Sequence, residues 1–267
     1  MSHLFQTSAS SESFVAMESH SEIVETMLNI DNVTVSFSGF KAVDGLSLKI
    51  EERELRVVIG PNGAGKTTLL DLICGKTKAT SGSVKFRGTE LTVLPEFKIV
   101  RAGVGRKFQN PSIYEELSIQ ENLEISIPQA HSVRRSLFFR RTPEIREQIA
   151  SVAEQIRLSS QLKKKAGLLS HGQKQWLEIG MLLVQDPELL LLDEPVAGMS
   201  HKEREQTGEL LRSIAKGKSL VVIEHDMDFV RSIAQRVTVL HQGRLLAEGT
   251  VEEVQADPRV IEVYLGN

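Results

Sequence analysis

Residues 60 to 67 read Gly60-Pro61-Asn62-Gly63-Ala64-Gly65-Lys66-Thr67: a glycine, four residues, then Gly-Lys-Thr. These residue types at this spacing suit the holding of a polyphosphate. Glycines let the main chain adopt conformations that side chains resist, so its N–H groups can close around phosphate oxygens at the start of a helix. Lys66 then reaches the β- and γ-phosphates of a nucleotide, and the Thr67 hydroxyl offers an oxygen to Mg²⁺. A ligand-free glycine-rich turn is the bland alternative, and chance alone would produce the full pattern in about one chain of this size in a hundred. Further along, four leucines, Leu189 to Leu192, lead to Asp193 and Glu194. Asp193 is placed to hold Mg²⁺ through water, and Glu194 to orient or deprotonate the water that attacks the γ-phosphate. An isolated Asp-Glu is as often a solvated strand end, but beside a phosphate loop the pair reads as phosphoryl-transfer machinery.

Such groups need a rigid frame. Leu55-Arg56-Val57-Val58-Ile59 is a short apolar run ending in glycine, the pattern of a parallel strand buried on both faces. A helix should follow from about Lys66 to Cys74, stopped by Gly75. Leu189–Leu192 and Leu220-Val221-Val222-Ile223 read as further buried strands, separated by a helix near Lys202 to Ala215, which makes an α/β core. Ahead of it, Leu28 to Phe37 and Leu46 to Ile50 alternate in part and predict an antiparallel β element. Between residues 111 and 185 the pattern becomes helical: Ser118 to Glu121 and Ser170 to Gln173 have capping-box spacing, and Thr142-Pro143 starts another helix. Val237 to Leu240 predicts a strand turning at Gln242-Gly243, and Pro258 to Leu265 a last helix. Residues 1–27, rich in Ser and Glu, read as a disordered extension without the basic and apolar regions of a secretion signal.

The chain has 267 residues, 32 Lys and Arg against 35 Asp and Glu, and one cysteine. A net charge of −3 gives no global field toward nucleic acid. The single Cys74 excludes an intramolecular disulfide or a cysteine-rich metal site, fits a reducing compartment, and reads as a small buried hydrophobe. No apolar run reaches the roughly 18 residues of a membrane-spanning helix.

Leu169-Ser170-His171-Gly172-Gln173 resembles the signature of the ABC family, usually Leu-Ser-Gly-Gly-Gln. The residues support it independently: a capped, exposed helix N-terminus with a small hydroxyl and a glycine binds anions. The resemblance spans about residues 28 to 267. It implies an α/β P-loop NTPase (RecA-like) core, built from 28–110 and 186–267 with an antiparallel β subdomain, and a helical ABC-specific subdomain at 111–185. It implies an ATPase that uses Mg²⁺, with ATP held between two subunits. The nucleotide contacts would come from Gly60 to Thr67, Thr68 and, across the dimer, Ser170, His171, Gly172 and Gln173. Gln109 resembles the glutamine that senses Mg²⁺ and couples the helical segment to the core, and His225 the switch histidine at the γ-phosphate. Phe37 is placed to stack on adenine, with Phe40 as substitute and a plain core role as the other reading. Trp176, Leu177, Gly180, Met181 and Val184 read as packing. Two positions depart from the family: His171 for glycine, and Ser200 where aspartate is common.

Within the family the chain resembles ATPase subunits of branched-chain amino acid importers and, through Ala166 to Met181 and Asp193 to Met199, those of bacterial urea importers. That implies two permease subunits, a second ATPase subunit of the same or a related chain, an extracytoplasmic solute-binding protein, and a peripheral place on the cytoplasmic face of the cell membrane. Arg134, Arg135, Arg140 and Arg141 around Leu137-Phe138-Phe139 read as a solvated loop, or as a contact with permease or lipid headgroups. A soluble family member working on ribosomes or DNA would need a second ATPase domain or a long coiled coil, and neither fits this length. A non-hydrolysing ATP-dependent module is disfavoured by Glu194.

Overall fold

The computed structural model describes residues 25–107, 113–128 and 142–265. The amino-terminal extension up to residue 24, Gln109 and the Arg134–Arg141 cluster lie outside the described residues. Strands β1 (Thr26–Phe37) and β2 (Phe40–Glu51) form a hairpin. With β4 (Ser81–Phe86) and β5 (Thr89–Glu90) they make an antiparallel sheet of order β2-β1-β4-β5. β1 begins two residues ahead of Leu28, because Thr26 pairs with Glu51 and Met27 is buried. β2 begins at Phe40 rather than near Leu46. Register shifts along the β1–β2 ladder re-aim side chains, so the alternation that marks a strand fails there.

The second sheet has the order β10-β9-β3-β8-β7-β6. Its members are β3 (Leu55–Ile59), β6 (Val104–Lys107), β7 (Leu189–Asp193), β8 (Ser219–Ile223), β9 (Arg236–His241) and β10 (Arg244–Gly249). All neighbouring pairs are parallel except β9 with β10, which turn back at Gln242 (φ 48°) and Gly243 (φ 76°). Its central strands are apolar throughout because two cores flank them. Leu190 and Leu192 of β7, Val57 of β3 and Val222 of β8 join the core shared with the helical segment. Leu191, Val58 and Val221 face the opposite core, with the antiparallel sheet and α1 (Lys66–Ile73).

The helical segment contains α3 (Ile119–Ile125), α4 (Pro143–Gln155) and α5 (His171–Leu183). Each starts at the cap read from sequence: Ser118 and Ser170 in complete capping boxes, and Thr142 accepting from the Ile145 N–H with Pro143 at the first turn. α6 (His201–Ala215) stitches this segment to the core: Trp176 Nε1 donates to Thr207 Oγ1 at 2.8 Å, and Arg157 pairs with Glu209. Trp176, Leu177, Gly180 and Val184 are buried, as their spacing predicted, and Met181 is partly buried. The short helices α2 (Glu96–Arg101), α7 (Met227–Ile233) and α8 (Val251–Ala256) had no sequence signal strong enough to name them; α9 (Pro258–Leu265) did. Cys74 is buried, its sulfur 3.3 Å from Arg106 Nη1. No helix among the described residues is long and apolar enough to cross a membrane.

Candidate functional site

Parallel strands side by side deliver their carboxyl ends to one edge of the sheet, where ligands of open α/β folds bind. Here β3 ends at Ile59, one residue before Gly60, β7 at Asp193 and β8 at Ile223, with Asp193 paired to Ile223 and Val58 to the same residue. The phosphate loop, Asp193-Glu194 and Glu224-His225 therefore converge. Gln109 lies two residues beyond β6, outside the described residues.

The loop demands its glycines. A Cβ on Gly60 (φ +152°) would lie 2.2 Å from the Leu240 carbonyl oxygen, and one on Gly65 (φ +98°) 2.4 Å from that of Ala42. Gly65 is also the cap of α1 and supplies no side-chain acceptor, and the first turn of the helix holds no acidic residue. The positive end of the helix thus faces the loop without an internal counter-charge. Lys66 Nζ donates to the carbonyls of Gly60 (2.6 Å) and Pro61 (3.0 Å). Burial lowers its pKa, opposed by the charges of Glu194 and Asp193.

Asp193 is 4% exposed. Burial raises its pKa, Arg106 opposes the rise, Glu194 adds to it, and the Thr67 hydroxyl hydrogen-bonds the carboxylate. The proposed Mg²⁺ ligands Thr67 and Asp193 are thus in contact. A buried carboxylate whose charge is incompletely balanced, next to a hydroxyl oxygen, suits a cation that keeps waters and phosphate oxygens as its other ligands.

Glu194 turns out of β7 with φ 46°, its N–H bonded to the Ile223 carbonyl at 3.0 Å. That left-handed conformation costs a non-glycine residue about 1–2 kcal/mol. It brings Oε1 to 3.6 Å from His225 Nδ1. Sequence reasoning missed Glu224, which is 1% exposed and accepts from the Val196 N–H (3.3 Å) and the His225 N–H (3.2 Å). It clasps the loop after Glu194 to the segment bearing His225. Its burial follows from β8, and an Ile-Glu-His string alone gives no sign of it.

Phe37 and Phe40 face each other across the β1–β2 turn, 51% and 66% exposed, so neither fills the core. β2 passes the phosphate loop at Ala42, two residues beyond Phe40, where the Ala42 carbonyl oxygen lies against Gly65. Thr68 follows Thr67 in α1 and is partly buried.

At the other expected contact, Ser170 Oγ accepts from the Gln173 N–H at 3.2 Å and the Gln173 side chain accepts from the Ser170 N–H at 3.1 Å. Ser170 Oγ also donates to Glu203 Oε1 at 3.0 Å, and His171 Nε2 lies 3.0 Å from the Ala197 carbonyl oxygen. Gly172 packs against Glu203: a Cβ there would come within 2.5 Å of Oε1. The recorded partners of Ser170 and His171 thus lie outside the phosphate loop.

A family model described as "ABC transporter" matches residues 43–197, and one described as "Branched-chain amino acid ATP-binding cassette transporter" matches residues 244–267. The chain is 38% identical to the high-affinity branched-chain amino acid transport ATP-binding protein BraF of Pseudomonas aeruginosa, over 90% of this chain and 98% of that one. It is 34% identical to the probable branched-chain amino acid transport ATP-binding protein LivG of Methanocaldococcus jannaschii, over 90% and 97%. Among solved structures it resembles the ADP conformation of an ATP-binding cassette of an ABC transporter, with a TM-score of 0.80 and 32% identity over 91% of this chain and 100% of that one. A nucleotide-free cassette matches with a TM-score of 0.79 at 32% identity over 91% and 100%. These relatives carry the branched-chain amino acid resemblance; the urea resemblance read from sequence is not among them. With a phosphate loop, an Asp-Glu strand end and a signature helix on the matching fold, the chain belongs to the ABC transporter family and is an ABC-type transport ATPase.

Proposed function

We propose that this chain is the ATP-hydrolysing subunit of an importer, pairing with a second ATPase subunit around two MgATP and driving separate permease subunits at the cytoplasmic face of the cell membrane. The convergence of Lys66, Thr67, Asp193, Glu194 and His225 on one sheet edge carries this reading. On binding ATP, Lys66 exchanges the Gly60 and Pro61 carbonyls for β- and γ-phosphate oxygens. Thr67 and Asp193 would hold Mg²⁺, with Gln109 as the third residue expected there; when bound, the ion offsets charge building on the phosphates. Glu194 takes the proton of the attacking water, and His225 fixes that carboxylate and the γ-phosphate together. Ser170 and Gly172, with His171 and Gln173 in the same turn, face the nucleotide held by the other subunit. Phe37 stacks on adenine. Residues 28–110 and 186–267 act as the core and 111–185 as the helical subdomain, with an extracytoplasmic binding protein delivering cargo.

For the cargo, the relatives favour a branched-chain amino acid. Urea is kept as a second reading because the segments 166–181 and 193–199 resemble those of urea importers. Replacing Glu194 with Gln tests the mechanism. Steady ATP turnover should fall about 10²- to 10⁴-fold with nucleotide binding retained, and turnover that survives the change sinks the assignment. Uptake of labelled leucine and labelled urea by cells with and without the gene separates the two cargoes.

A further inference from the structure

His171 stands where the signature usually has glycine, and its ring is engaged inside the chain. Nε2 lies 3.0 Å from the Ala197 carbonyl oxygen, which can only accept, so this nitrogen carries the proton. The ring lies over Gly198, where a Cβ would come within 3.4 Å of Nε2. One residue earlier, Ser170 donates to Glu203 Oε1, while Glu203 Oε2 accepts from the Ser200 N–H (3.0 Å) and hydroxyl (2.8 Å). The tip of α5 is therefore tied at two points to the loop from Pro195 to Ser200: His171 grips its middle and Glu203 its end. The front of that loop is Glu194, with the Val196 N–H held by Glu224. Both departures from the family pattern, His171 and Ser200, are members of this clasp.

We propose that His171 is a positioning residue that couples the signature of each subunit to the general base of the same subunit. The proposal rests on the paired arrangement of the preceding section. There, Ser170 and Gly172 of one chain meet the ATP of the other, while Glu194 acts on the chain's own ATP. A shift of the α5 tip against the partner's nucleotide passes through the His171–Ala197 hydrogen bond to backbone three residues from Glu194, so occupancy of one site sets the carboxylate of the other. Glycine at 171 offers no donor to Ala197 and leaves the signature tied to the loop at its far end alone, through Glu203 and Ser200.

The test is ATP turnover against ATP concentration in the assembled transporter carrying the full chain, comparing wild type, His171→Ala, His171→Gln and Glu194→Gln. Wild type should be sigmoidal. His171→Ala should bring the Hill coefficient toward 1 and raise the half-saturating ATP roughly fivefold, the low end of the usual range of coupling between sites. His171→Gln, whose amide can also donate to Ala197, should restore the curve. A structural role alone would lower the maximal rate and leave the curve's shape unchanged, which overturns the proposal, as does a non-cooperative wild type. A Gln variant that behaves like Ala assigns the effect to ring bulk and overturns the hydrogen bond as its cause. Failure of the underlying reading looks different: no wild-type turnover, or full turnover in Glu194→Gln.

Discussion

Lys66 sits on two loop carbonyls at 2.6 and 3.0 Å, bonds that phosphate oxygens can replace with full negative charge. Losing such charge-assisted contacts costs about 1.5–3 kcal/mol, so Lys66→Ala should weaken ATP binding by about ten- to a hundredfold, measured by titration with a fluorescent ATP analogue. Glu224 makes a different prediction. Burial raises its pKa, with the N–H bonds from His225 and Val196 opposing. A carboxyl whose folded value is raised holds its proton more tightly when folded, so its contribution to stability falls as pH rises through the folded value, above the ordinary carboxylate range. Glu224→Gln removes that charge, at the loss of one acceptor for the two N–H groups. The melting temperature of the Gln variant relative to wild type should therefore rise from pH 5 to pH 8. A flat difference across that range would show that Glu224 is not charged and strained in the folded state.

At the scale of elements, the phosphate loop is held by backbone contacts. Gly60→Ala would bring a Cβ against the Leu240 carbonyl of β9, a fixed atom, so β3 and β9 must shift or the loop deform. Loss of ATP binding, read by titration with a fluorescent ATP analogue, together with a lower melting temperature is expected, whereas Gly63→Ala, strained by its φ of +79° but with no protein atom within 4 Å of the added Cβ, should lower the melting temperature less. Such elements were legible where local chemistry is self-contained. Ser118, Thr142 and Ser170 announce their helices because a cap and its partner lie within three residues. The run from Leu189 to Leu192 announces a strand buried on both faces. Elements whose logic is tertiary were not. β6 is the edge strand beside β7 and contains Arg106 and Lys107, tolerable because Arg106 pairs with Asp71 and buried Lys107 with Glu178, 3.3 Å away on α5. β4 begins Ser-Gly-Ser and takes its order from pairing with β1. That Asp193, Glu194 and His225 stand at strand ends was readable from the apolar runs before them; Glu224 and the Ser170–Glu203–Ser200 link, made by contacts across 28 and 33 residues of chain, were not.

At the scale of the whole molecule, the signature helix and the phosphate loop of one chain belong to different nucleotide sites in the proposed pair. Binding and pairing should therefore be separable by mutation. Ser170→Asp keeps a good N-cap for α5, yet places a carboxylate where the partner's γ-phosphate is expected and beside Glu203. Two like charges at about 4 Å repel appreciably even at a protein surface, while nothing in the variant touches Lys66, Thr67 or Asp193. The expected outcome, in a Glu194→Gln background that preserves bound ATP, is nucleotide affinity within about threefold of the parent together with loss of ATP-dependent association with the second ATPase subunit, followed by light scattering. In that same background Ser170→Ala removes the cap without adding charge and should weaken association much less, separating electrostatic exclusion from fraying of α5. If Ser170→Asp pairs as readily as its parent, the signature helix does not meet the partner's phosphate, and each ATP is bound and hydrolysed within a single chain.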